Sequence, residues 1–252
     1  MSGQMKGKVA LLIGGSSRIG RATAFAFTRE GVKVVLADVA VEAGQETVNK
    51  VKHAGGEAFF VKTDVSKSSE VKSLVDKVVK KYRRLDYALN NANLEGNLIS
   101  TADCSEKDWD RIIDINLKGM WLCMKYEIRQ MLKQGGGAIV NVSSVASYAG
   151  YQGLPAYCAS KGGILQLTRV AALEYAKADI RVNALVPGDI RIPKGSRYIN
   201  AQALMTEAIN AIRPVGRMGK PEEIAETVIW LCSDATSFIT GHLIVGGGFV
   251  TP

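Results

Sequence analysis

Cysteine is scarce: Cys104, Cys123, Cys158 and Cys232 are the only four in 252 residues, and their separations match no metal-ligand spacing. A chain this long needs no disulfides to hold a core, so four reduced thiols and no metal site are expected. No run of about 18 apolar residues is present, which excludes a conventional transmembrane helix. The start, MSGQMKGK, carries no secretory pattern and runs straight into a strand-like VALLI. Internal repeats, low-complexity tracts and linker-like stretches are also missing. The expectation is a cytoplasmic protein with no membrane partner. Charged residues make up 22% of the chain and hydrophobic residues 47%, too apolar a balance for disorder.

Acidic residues are outnumbered, 24 against 32 basic, giving a net charge of +8. The densest basic cluster is Lys72, Lys77, Lys80, Lys81, Arg83 and Arg84. Within it Val71, Leu74, Val75, Val78 and Val79 recur at helical spacing, which leaves the lysines on a solvated outer face. No nucleic-acid recognition motif accompanies them, so no nucleic-acid partner is expected. Glycine, by contrast, is abundant: 26 residues, about a tenth of the chain, against a usual share of about 7%. That excess calls for tight turns, or for backbone that must approach a ligand closely.

Apolar, β-branched runs alternate with longer helical patterns. Strands are expected at 8–13, 32–37, 57–62, 86–90, 138–142, 180–186 and 242–245. Between them, helices are expected at 19–30, 41–54, 67–82, 105–133, 155–176 and 221–233. Near-continuous apolar strands such as VKVVLA and AIVNV fit burial on both faces. The reading is an α/β chain, a single domain over 1–252, with a doubly wound parallel sheet of about seven strands and helices on both faces. A site then belongs at the strand carboxyl ends. The interval 189–214 interrupts the alternation with polar, basic and glycine residues and a short helical pattern at 201–212, a candidate substrate lid.

Two constellations carry chemistry. The first strand runs into IGGSSRIG, and a strand–turn–helix there would aim backbone N–H groups and a helix dipole at an anion, usually a dinucleotide pyrophosphate. Asp38 lies 18 residues after Gly20, at the end of the second strand, where a carboxylate can accept from both ribose hydroxyls and repel a 2′-phosphate. NAD is therefore favoured over NADP. In the second constellation Tyr157 and Lys161 stand four apart on one helix face. A lysine beside a phenol favours the phenolate, so a group with an ordinary pKa near 10 becomes a usable acid/base. Ser143 and Ser144 follow a buried strand just before that helix, where a hydroxyl can polarise a carbonyl.

Together these residues resemble the short-chain dehydrogenase/reductase family over essentially the whole chain. The ordered set is the glycine turn near residue 14, Asp38, TDV at 63–65, NNA at 90–92, NLKG at 116–119, NVSS at 141–144, YCASK at 157–161 and VPG at 186–188. The tail GRMGKPEEIAETVIWLCSDATSFITG is family-like as well. The resemblance implies a Rossmann-like oxidoreductase that passes hydride between NAD(H) and a secondary alcohol or ketone. It makes Tyr157 the general acid/base, with Lys161 lowering its pKa and binding the nicotinamide ribose. Ser144 would bond the substrate oxygen and Asn116 would hold a water in the proton relay. Cofactor contacts would come from Gly14, Ser17, Arg18, Ile19 and Gly20 at the turn, and from Asp38, Asp64, Val65, Asn91 and Ala92 around the adenosine. Pro187, Gly188, Ile190 and Ile192 would border the nicotinamide. The substrate pocket would draw on 93–97, on 147–154 with Tyr148, Tyr151 and Leu154, and on the lid. There Lys194 and Arg197 either meet an acidic substrate or are solvated lid charges. A homotetramer built through the long helices is also implied.

The chain departs from the family at several positions. Ile13 and Arg18 stand where the family has threonine and glycine, and Asn93 stands for the glycine that closes Asn-Asn-Ala-Gly. Ile192 replaces a threonine, and Gly246 replaces an aspartate. Two explanations compete: Arg18 compensates electrostatically in an active enzyme, or cofactor binding is weakened in a non-catalytic binding or assembly protein of the same fold.

Overall fold

The computed structural model describes residues 4–188, 190 and 215–246. The strands are β1 (Val9–Ile13), β2 (Lys33–Asp38), β3 (Ala58–Lys62), β4 (Tyr87–Asn90), β5 (Gly137–Val142), β6 (Ile180–Val186) and β7 (Leu243–Val245). The helices are α1 (Arg18–Arg29), α2 (Val41–His53), α3 (Ser68–Tyr82), α4 (Glu106–Ile113), α5 (Gly119–Gln134), α6 (Pro155–Tyr175) and α7 (Pro221–Cys232). The described strands form one parallel sheet in the order β3-β2-β1-β4-β5-β6-β7.

Alternation along the strands sorts the core into two layers. Val9, Leu11 and Ile13 of β1 pack with Leu74 and Val78 of α3, Met131 of α5 and Ile164 of α6. Ala10 and Leu12 face the other way, onto Phe27 of α1, Val48 of α2 and Leu231 of α7. Both faces are thus covered, which is why these strands read as unbroken apolar runs. Beneath β4 and β5 a polar thread crosses the first layer. Asn141 Nδ2 donates to Thr168 Oγ1 at 2.9 Å, and Asn90 Nδ2 donates to Asn141 Oδ1 at 3.1 Å and to Glu127 Oε2 at 2.9 Å. Glu127 is fully buried, with Oε1 unpartnered, and burial raises its carboxyl from 4.5 to about 7.

The order reverses between β1 and β4, where Ile13 is level with Asn90. Crevices at such reversals hold ligands in doubly wound sheets. Gly14 makes the closure there possible. Its φ is +70°, and a Cβ on it would lie 2.5 Å from the carbonyl oxygen of Asn91.

The helix expected over 105–133 is two helices joined by a π-helical turn, Asp114–Lys118. Ser105 caps its start, accepting the amide of Asp108 at 3.1 Å. Buried Ile112, Asn116 and Met120 across the turn are spaced four apart, which an unbroken α-helix also allows, so periodicity alone does not reveal it. Of the expected lid, only Ile190 is described, bridging in parallel to Gly219. The rest of 189–214, including the helical pattern at 201–212, Ile192, Lys194 and Arg197, lies outside the described residues.

Candidate active site

At the carboxyl ends of β1, β4 and β5 a cavity of about 310 Å³ opens. Ser17, Arg18, Ile19 and Asn91 form one wall, Ser144, Tyr157 and Lys161 another, and Pro187, Gly188 and Ile190 a third. A neighbouring cavity of about 480 Å³ is lined by Gly14, Asp38, Asp64, Val65, Asn91 and Ala92. Residues assigned from sequence to the adenosine therefore share one chamber, and Ser144, Tyr157 and Lys161, three of the four assigned to the chemistry, share another. Gly20 borders neither: a Cβ there would lie 2.4 Å from the Gly14 carbonyl oxygen, so its role is close packing of the turn.

The turn is held by its own hydroxyls and by Asp38. Ser17 caps α1 by accepting the amide of Gly20 at 3.0 Å, and its Oγ also accepts from Asn91 Nδ2 at 2.8 Å. The Asp38 carboxylate accepts the amides of Ser16 at 3.0 Å and Ala40 at 3.1 Å, one on each oxygen. Those two bonds fix its orientation at the mouth of the adenosine chamber while leaving lone pairs for further donors. Ser16 acts through its backbone amide, which no side-chain motif advertises.

Tyr157 and Lys161 lie on the first turns of α6, one helical turn apart, and face the cavity. Tyr157 is mostly buried, which pushes its phenol up to about 12, while a hydrogen bond with Ser144 pulls the other way. Lys161 is buried and its ammonium is lowered to about 8 by desolvation. Its Nζ donates to the Val142 carbonyl at 3.3 Å and stands 5.5 Å from the Tyr157 ring centroid. At the Tyr157 phenol burial dominates, and the counterweight is Ser144.

The Asn116 carboxamide is engaged by its neighbours. It sits inside the π turn, fully buried, and lines neither cavity. Its Oδ1 accepts the amide of Leu94 and its Nδ2 donates to the carbonyl of Leu94, both at 2.8 Å. Nδ2 also donates to Ser160 Oγ at 3.1 Å, and that hydroxyl donates to the Tyr157 carbonyl at 2.7 Å. Asn116 thereby ties the loop after β4 to the helix carrying Tyr157. Ser160 is the link that sequence reading missed, since a serine inside YCASK reads as a spacer.

Of the expected pocket residues, Asn93, Glu95, Tyr151 and Leu154 line the catalytic cavity, whereas Tyr148 does not. Arg18, an exposed residue, is on the same wall; desolvation lowers its guanidinium and the charge of Glu95 works against that. No helix among the described residues is long and apolar enough to cross a membrane. Among those residues no group of His, Cys, Asp and Glu side chains could hold a metal ion.

The chain matches the family described as Enoyl-(Acyl carrier protein) reductase over residues 14–250. It is 39% identical to a cyclohexanol dehydrogenase of Acinetobacter sp. strain SE19 over 251 residues, 100% of this chain and 98% of that relative. It is 40% identical to a 2,5-dichloro-2,5-cyclohexadiene-1,4-diol dehydrogenase of Sphingobium indicum over 247 residues, 97% of this chain and 98% of the relative. Among solved structures, NAD+-bound xylitol dehydrogenase superposes with a TM-score of 0.92 at 33% identity, covering 98% of this chain and 100% of the other.

Proposed function

The chain belongs to the short-chain dehydrogenase/reductase family, and from that premise we propose that it interconverts a secondary alcohol and a ketone, with Tyr157 moving the proton. It is an oxidoreductase using a nicotinamide cofactor, which when bound supplies the hydride acceptor or donor. The observation that carries the assignment of roles is the convergence of Ser144, Tyr157 and Lys161 on one cavity bordered by the start of α1. The non-catalytic alternative gains nothing from these three relatives, each named as a dehydrogenase.

In the reductive direction Tyr157 Oη would give its proton to the carbonyl oxygen as that oxygen becomes an alkoxide. Ser144 would donate to the same oxygen, holding it at the phenol and stabilising the charge that develops. In oxidation the two roles reverse: the phenolate takes the alcohol proton. Burial keeps Tyr157 in its neutral phenol form, the form that carries the proton to be given in reduction. The ammonium of Lys161 has three donors and one 3.3 Å bond to Val142, which leaves donors for ribose hydroxyls.

The residues present fit a dinucleotide. Gly14, Ser17, Arg18 and Ile19 would hold the pyrophosphate at the amino end of α1. Asp38 would accept from the adenosine ribose, with Asp64, Val65, Asn91 and Ala92 around the base and sugar. Pro187, Gly188 and Ile190 would border the nicotinamide. The fixed Asp38 carboxylate supports NAD over NADP, because a 2′-phosphate placed there meets a like charge. Free cysteines at Cys104, Cys123, Cys158 and Cys232 support a reducing compartment such as the cytoplasm. We further infer a homotetramer, for which exposed Trp121 and Leu132 on α5 and Val170 and Leu173 on α6 offer apolar surface.

The test is calorimetric binding of NADH and NADPH, followed by turnover of a panel of ketones and alcohols. NADH should bind more tightly than NADPH. Tyr157→Phe should lower turnover at least about a thousandfold while NADH affinity stays within about twofold. Retained turnover in that variant would remove Tyr157 from its role.

A further inference from the structure

Glu95 is the one carboxylate on the wall of the catalytic cavity among the described residues. It also lines a larger outer cavity of about 770 Å³, and Arg18, Asn93, Leu154 and Tyr157 are common to both. The partition between the two chambers is therefore built from Glu95 and its neighbours, directly beside the tyrosine that meets the substrate.

Although Glu95 is exposed, its backbone is fixed on both sides. Leu94 before it is gripped at its amide and its carbonyl by the buried carboxamide of Asn116, both at 2.8 Å. Gly96 after it has φ +82°, and a Cβ there would lie 2.6 Å from Ile112 Cδ1 on α4. Because Asn116 also reaches the Tyr157 carbonyl through Ser160, Glu95 and Tyr157 hang from one hydrogen-bonded unit. The Glu95 side chain therefore leaves the wall from backbone held on both sides, beside Tyr157. Its charge is felt across the site: it raises the proton affinity of Arg18, Tyr157 and Lys161.

We propose that Glu95 is a specificity-determining residue that receives a second hydroxyl of a diol or polyol substrate whose reacting carbinol is held by Tyr157 and Ser144. This rests on the assignment of Tyr157 given above. A carboxylate only accepts hydrogen bonds, so it discriminates for a group that donates and against an acidic one. A neutral hydroxyl fits better than an ammonium, because Arg18 faces the same carboxylate and would repel a cation. A monohydric alcohol leaves Glu95 unused by the substrate.

The experiment compares kcat/KM with NAD+ for cyclohexane-1,2-diol and for cyclohexanol, in the full chain and in Glu95→Ala and Glu95→Gln. The full chain should prefer the diol. The diol-to-monohydric ratio should fall about tenfold in Glu95→Ala, through KM, and about threefold in Glu95→Gln, which keeps an acceptor oxygen. The acid limb of the pH profile should also move to lower pH in both variants, since a negative charge beside Tyr157 and Lys161 is gone. Ratios unmoved within about twofold, both substrates falling together, or a preference for 2-aminocyclohexanol over the diol would each overturn the proposal. Tyr157→Phe separates the two layers of inference. If it leaves both alcohols oxidised, the catalytic assignment falls. If it abolishes both while the Glu95 ratios stay flat, only the Glu95 proposal falls.

Discussion

At the scale of single side chains, the proposed grip on the cofactor can be tested one residue at a time. Asp38→Ala removes a carboxylate whose two oxygens are tied to the Ser16 and Ala40 amides, so the preference for NADH over NADPH should shrink about tenfold. Paired binding isotherms for the two cofactors check this. Arg18 places a cation where a pyrophosphate would lie, but it is exposed, so screening limits its worth. Arg18→Gly should weaken NADH binding about threefold at low salt and less at high salt, read by titration at two ionic strengths. Glu127 gives a stability prediction. Its carboxyl binds a proton in the folded chain that the unfolded chain has released between pH 4.5 and about 7, so stability falls as pH rises through that window. The full cost, roughly 3 kcal/mol, is present above pH 7. Glu127→Gln should flatten that fall, leaving stability at pH 5 nearly unchanged and raising it at pH 8, as urea unfolding would report. Tyr157, Lys161, Ser144 and Asp38 were legible because each belongs to a short motif with a mechanism. Glu127 was not, because a glutamate four residues before a methionine on a helix looks solvated until the sheet above it is placed.

Among the elements, the π turn at Asp114–Lys118 matters most to the site. It delivers Asn116 to Leu94 across 22 residues of sequence, where the carboxamide imitates a strand neighbour by meeting both the amide and the carbonyl. Asn116→Ala should orphan both backbone groups, cost about 2 kcal/mol in denaturant midpoint analysis and lower kcat. Asn116→Asp should regain only part of the stability, because it keeps the acceptor and loses the donor. Alternating apolar strands and amphipathic helices made the doubly wound class readable from the chain, and Ser105 marked a helix start correctly. The π turn was invisible, since the spacing of four between buried Ile112, Asn116 and Met120 also fits an unbroken α-helix. The partners of Asn116 were hidden for a related reason: they are main-chain atoms, and main chain carries no sequence signature.

For the molecule as a whole, the apolar side chains left on α5 and α6 predict association. Leu173 is 84% exposed and Val170 is 50% exposed, one turn apart on α6. Sedimentation equilibrium should give four times the monomer mass, and Leu173→Lys should shift the distribution toward smaller species. The basic excess has a different character. Lys67, Lys72 and Arg217, among others, are already paired with acids on their own surface.

The strand order also sets a timetable for biosynthesis. β1 lies between β2 and β4, yet Tyr87 leaves the ribosome 74 residues after Ile13. At about 5–20 residues per second, the inner edge of VALLI waits about 4–15 s for its second neighbour. During that interval the nascent chain presents a bare, apolar strand edge, the kind of template that recruits other chains. Fragments ending before residue 87 should therefore collect in the insoluble fraction, and production of the full chain should benefit from slower, cooler synthesis with chaperones in excess.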